Sequence, residues 1–146
     1  MKAHALLSAS SAHRWLRCPP SARLEEEFVE KGSDAAEEGT RAHALAEQKL
    51  SRSLNISVSD GNLTADDVDM DRHTDAYVDF VLEILEQVKL TCLDPKVLIE
   101  QRVDFSRYVP EGFGTADCII VGDGSINVID LKYGQGVLVD STDNPQ

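Results

Sequence analysis

Apolar positions along the chain change their spacing once, close to Pro95. Before it they recur every three or four residues; after it Val and Ile gather in short runs. From Asp34 to Leu50 the chain is rich in Ala, Glu and Leu. Ala42, Leu45, Ala46 and Lys49 to Leu50 form a stripe at helical spacing. From Asp67 to Leu90 the pattern is stronger, with Tyr77, Phe80, Val81, Ile84, Leu85 and Val88 on one face of a second long helix. Ahead of both, SASSAHRWLRCPPS predicts a short helix. Ser8, Ser10 or Ser11 would cap it, Pro19 and Pro20 would end it, and Trp15 and Leu16 would face a core. ARLEEEFVE adds a helical turn or two before KGS breaks it, and residues 51 to 65 predict a polar loop with one short strand. Beyond Pro95, VLIEQRVDF, GTADCIIV and INVIDLKY predict three strands. Helices followed by a strand meander make the class α+β or mixed α/β, with helices packed on a small mixed sheet. The expectation is one domain over residues 1–146, mainly helical through residue 95, with the meander over 96–140.

Composition narrows this little: 146 residues, 42% hydrophobic and 27% charged, allow one domain with a modest core. No apolar run reaches the ~20 residues that span a bilayer, and ALLSAS is too short and polar for a signal-peptide core. The cytoplasm is the expected compartment. Charge changes the picture more. A formal net charge of −12 argues against gripping nucleic acid by bulk electrostatics, because neutralising phosphates needs Lys and Arg. It leaves room for a nuclease whose local positive charge comes from metal ions. Cys18, Cys92 and Cys118 lie far apart and form no CxxC pair, so neither a disulfide framework nor a self-contained zinc site is expected.

Candidate chemistry gathers in the hairpin. Asp123-Gly124 predicts a type I′ turn, and pairing Gly122 with Ser125 sets Val121 against Ile126 and Asp117 against Asp130. Two carboxylates about 5 Å apart in apolar strands need a cation between them, or one must be protonated. Lys132, two residues after Asp130, projects from the same face. Oxygen ligands suit Mg²⁺ or Mn²⁺, and a lysine beside such an ion can ready a water. Alternatively, Asp130 and Lys132 simply form a salt bridge at a strand end while Asp117 caps a turn. Upstream, His43 sits in a helix of Ala, Leu and Glu, either as an ordinary helical residue or as a third ligand. Glu47, one turn on, either orients the imidazole or is solvated.

Together these residues resemble the RecB-type branch of the PD-(D/E)xK nuclease superfamily. Gly39 to His43 in GTRAH, Gly114 to Asp117 in GTAD, and Asp130 to Lys132 in DLK match its three motifs in order. Gln146 looks like the first position of the Q-x-x-x-Y element. LSASSAHRWLRCPPS resembles the opening of an uncharacterised phage- and prophage-associated family within that branch. The resemblance implies a restriction-endonuclease-like core and Mg²⁺- or Mn²⁺-dependent hydrolysis of DNA, exonuclease-like, in phage or prophage DNA processing and recombination. It implies that His43, Asp117, Asp130 and the carbonyl of Leu131 bind the metal. It also implies that Lys132, with Asp117 and Asp130, carries catalysis. Glu100, on the preceding strand, is a weaker candidate, better explained as polarity at a strand edge. Some relatives hold a 4Fe-4S cluster. Cys18 matches the first of its ligands but the C-terminal trio is missing, so a cluster is expected only in a longer form. The expected partners are DNA and phage recombination proteins, inside a bacterium or an infected host. The chain is expected to be truncated at Gln146. The alternative is a nuclease-like DNA-binding or scaffold module without turnover, which the net charge favours.

Overall fold

Two capped helices supply much of the core. In the computed structural model, which describes residues 5–8, 11–28, 33–57 and 62–134, the elements follow in order. They are α1 (Ala12–Trp15), α2 (Ser21–Glu25), α3 (Asp34–Ser53), α4 (Val68–Lys89), β1 (Lys96–Asp104), β2 (Phe113–Gly122) and β3 (Ser125–Ile129). The side chains of Ser33 and Asp67 accept from Ala36 N (3.2 Å) and Met70 N (2.7 Å), fixing where α3 and α4 begin. The strands form one three-stranded antiparallel sheet in the order β1-β2-β3, rather than a mixed one.

The described residues divide into two compact units. One comprises those of 1–32 and 102–115. In it Trp15 Nε1 donates to the carbonyl of Ser8 (2.8 Å), and Arg14 pairs with Glu25 (2.9 Å). Leu16, expected in a core, is 60% exposed, because α1 stops at Trp15 and only Ala12 of its residues is buried. Ser11 stands at the N-cap, but its hydroxyl engages Ser8 rather than the helix.

The other unit comprises 33–101 and 116–135. Ala46 and Leu50 of α3, and Tyr77, Val81, Leu85 and Val88 of α4, pack with Cys118, Ile120, Ile129 and Leu131. Phe80, expected on the buried stripe of α4, is half exposed, and Val78 takes its place in the core. Lys49, on the margin of the α3 stripe, reaches across to α4 instead of packing. Its Nζ lies 2.7 Å from Asp71 Oδ1, 2.6 Å from Asp75 Oδ1 and 2.9 Å from Thr74 Oγ1. No strand forms among the described residues of 51–65, and α3 runs on to Ser53.

The hairpin keeps the predicted register, with Gly122 opposite Ser125, Val121 opposite Ile126 and Cys118 opposite Ile129. Its turn is not type I′, which needs positive φ at both central residues; here Gly124 alone is left-handed (φ +77°). Gly122 is required for packing, since a Cβ there would lie 2.5 Å from Val88 Cγ1. The third strand ends at Ile129 rather than running to Tyr133. At that point Asp117 Oδ2 takes the N–H of Leu131 (2.6 Å), so a side chain replaces the next rung of the ladder.

Candidate metal centre

Asp117 is held by the ladder of β2 just before the buried run Cys118–Ile120, and its side chain is only 15% exposed. Its two oxygens face different partners. Oδ2 accepts from Leu131 N, while Oδ1 lies 3.4 Å from His43 Nδ1. His43 projects from α3 one residue after Ala42, which is fully buried, so the helix backbone is seated and the imidazole stands at the margin of the core.

Glu100 completes a cluster: His43, Glu100 and Asp117 each offer a ligand atom, and these atoms lie within 4.8 Å of one another. Along β1, Val97 and Ile99 pack against the core, so strict alternation would send Glu100 to the other side. Glu100 instead has φ +48°, a left-handed conformation costing a non-glycine residue about 1–2 kcal/mol. The alternation of exposed and half-buried residues nonetheless runs on through Gln101, and the Glu100 carboxylate lies beside His43 and Asp117.

The electrostatics match three ligating groups gathered in one place. His43 is pushed above its ordinary pKa by its contact with Asp117, against the opposing effect of burial, and further by the charges of Asp117, Asp130 and Glu100. Glu100 is pushed up by burial first, then by like charge from Asp117 and Glu47, with His43 working the other way. Each acid raises the proton affinity of its neighbours, and a divalent ion would relieve all of these at once. One imidazole nitrogen and two carboxylates fit such an ion. The imidazole favours Mn²⁺ over Mg²⁺, which prefers oxygen alone.

A small cleft opens on the cluster, lined also by Ala46, Glu47, Tyr77 and Leu131. The Tyr77 hydroxyl is buried there, and among the described residues it has no hydrogen-bond partner. Burial, followed by the negative charge nearby, pushes its pKa well up, so it stays protonated. Cys118, next to Asp117, points into the core and is pushed up to about 11 by burial, which leaves an inert thiol.

The sequence-derived set is therefore divided. His43 and Asp117 come together. Leu131 is adjacent, but through its N–H to Asp117 and its buried side chain. Asp130, one residue beyond the last pair of the ladder, is not among the three ligands of the cluster. Past the end of the ladder its carboxylate turns outward and pairs with Lys132 Nζ at 2.6 Å, both side chains being about half exposed (48% and 49%). Asp130 still acts on His43 through its charge. Cys18 is exposed and unpaired as a disulfide, Cys92 and Cys118 are buried, and Gln146 lies outside the described residues. Among the described residues no helix is long and apolar enough to cross a membrane. The sequence reading ranked Glu100 low and missed Tyr77. Glu100 looked like edge polarity, because nothing in LIEQRV signals a left-handed residue. Tyr77 looked like core; its hydroxyl on an otherwise apolar stripe was the available signal.

Residues 4–146 match the family described as "Protein of unknown function (DUF2800)". No solved structure matches the chain.

Proposed function

We propose that this chain, which belongs to the DUF2800 family, is the core of a divalent-metal-dependent deoxyribonuclease, with His43, Glu100 and Asp117 as its metal-holding residues. The observation that carries this is the convergence of three ligand atoms within 4.8 Å from α3, β1 and β2, one of them at the expense of backbone strain. Further support comes from the order of the GTRAH, GTAD and DLK motifs, two of which contribute to the cluster. When bound, the cation would supply Lewis-acid stabilisation of a phosphoryl oxygen and lower the pKa of a water. The chain's own residues do the rest. Asp117 stays in place because Leu131 N holds its second oxygen. His43 must be neutral to ligate, so metal affinity falls as its proton is retained. Lys132, next in the chain to the cleft residue Leu131 and paired with Asp130, is the proposed group that readies the attacking water and neutralises developing negative charge. It can turn to that role cheaply, since an exposed ion pair is worth about 0–1 kcal/mol. The acid-rich surface favours a small, metal-bridged contact with one phosphate over a broad electrostatic grip on a duplex.

The test is Mn²⁺- or Mg²⁺-dependent degradation of linear DNA. Wild-type chain is expected to degrade it with Mn²⁺ preferred, and Asp117→Ala or Lys132→Ala to reduce the rate by about 100-fold or more. Rates untouched by both substitutions would remove the assignment. A second reading, a nuclease-like binding or scaffold module without turnover, is favoured by the engagement of Lys132 with Asp130 and by the net charge of −12. Micromolar Mn²⁺ binding with no cleavage of any DNA form would select it.

A further inference from the structure

Anions entering the cleft meet mostly acid. Glu47, Glu100 and Asp117 all line it, and the Leu131 N–H beside them is already given to Asp117. A phosphate oxygen arriving next to a cation there needs a neutral donor on its other side. Tyr77 has the one such group on the wall whose proton is uncommitted among the described residues. Its side chain is more than nine-tenths buried, and its hydroxyl has no partner. Leaving a buried hydroxyl unbonded costs about 1–3 kcal/mol. Nothing in packing requires it, since a phenylalanine ring would fill the same space between α3, α4 and the sheet.

Resting on the metal-site reading above, we propose that Tyr77 is the phosphate-recognising residue of this cleft, its hydroxyl donating to a non-bridging oxygen of a nucleotide phosphate. It is a binding and positioning residue, distinct from the groups that hold the cation. The high proton affinity imposed by burial and neighbouring acids keeps it a donor throughout the working pH range.

Calorimetric titration of the 146-residue chain separates this from the reading it rests on. MnCl₂ is titrated first. Thymidine 5′-monophosphate is then titrated into the Mn²⁺-loaded and the metal-free chain, with thymidine as the control lacking phosphate. Wild type is expected to bind Mn²⁺, to bind the monophosphate only when Mn²⁺ is present, and to ignore thymidine. Tyr77→Phe should keep the Mn²⁺ affinity within about twofold, yet weaken the monophosphate about tenfold, the equivalent of one charge-assisted hydrogen bond. The same variant should melt at the same or a higher temperature without metal, because it removes an unsatisfied hydroxyl. A hydroxyl with a merely structural role would instead lower Tm and leave ligand affinity alone. Unchanged monophosphate affinity in Tyr77→Phe overturns the proposal while leaving the metal site standing. So does a loss of Mn²⁺ affinity in parallel with it, or binding of thymidine as strong as that of its monophosphate. Failure of the wild-type chain to bind Mn²⁺ overturns both.

Discussion

Asp117 earns its central place by serving two partners that pull in different directions. One oxygen secures the chain after β3, and the other meets His43. Asp117→Asn keeps the side chain's shape but loses a negative ligand. It is expected to weaken Mn²⁺ binding by about 100-fold or more, at or beyond the top of the range for residues that merely support ligands. Its melting temperature should fall modestly, because the bond to Leu131 N is no longer charge-assisted. Glu100→Gln should behave differently. It relieves the repulsion that Glu100 feels from Asp117 and Glu47, so the metal-free chain should hold or gain Tm while Mn²⁺ affinity drops about tenfold. Opposite movements of stability and affinity, read by thermal melts with and without MnCl₂, would identify Glu100 as a residue kept for binding rather than for folding. Lys132→Ala leaves the metal cluster intact, so it should spare Mn²⁺ affinity and affect turnover alone.

Among elements, α4 and the β2–β3 hairpin set the site's geometry. Asp67 starts α4 by accepting from Met70 N, and Asp67→Ala should cost about 1 kcal/mol in a urea melt. The hairpin is held more strictly. Gly122→Ala would drive a methyl into Val88, and overpacking of this kind costs about 1–3 kcal/mol. Because Gly122 lies at the turn end of the ladder that carries Asp117, this variant should lose stability in proportion to packing while keeping its metal affinity once folded. The left-handed Glu100 in β1 is the element-scale counterpart of the cluster. Val97, Ile99 and Gln101 keep the half-buried phase of the strand around it, while the Glu100 carboxylate lines the cleft.

For the whole molecule, the consequence is a pH dependence with a definite sign. His43 has its proton affinity raised by folding, so its contribution is fully present below its unfolded pKa of about 6.5 and is lost as pH rises through the higher folded value. Glu100 is also raised, meaning that the folded state holds its proton above the unfolded value of about 4.5 and loses stability as pH rises through that window. Both push the same way. The metal-free chain should therefore lose Tm between about pH 5 and pH 8. Mn²⁺ should restore most at the alkaline end, where it no longer competes with protons for His43. A Tm that rises over that range without metal would contradict the electrostatics of the cluster. A net charge of −12 adds general self-repulsion, which salt should reduce.

The two long helices, the hairpin's position and its register were legible in the linear order of residues. A 3.6-residue period, an N-cap serine or aspartate, and a two-residue loop are local features whose energies are decided within a few neighbours. Two of the cluster's three residues, His43 and Asp117, were legible as well, since motif spacing placed them on a helix and a strand. Only tertiary structure decided where the ladder stops, and hence that Asp130 leaves it for Lys132 while Asp117 turns to Leu131 and His43. It also decided that Glu100 adopts a strained backbone and that Tyr77, on the wall of a charged cleft, has a buried hydroxyl without a partner among the described residues. Those outcomes depend on competition among groups far apart in the chain, where a difference of 1 or 2 kcal/mol redirects a side chain, and no short-range pattern records which competitor wins.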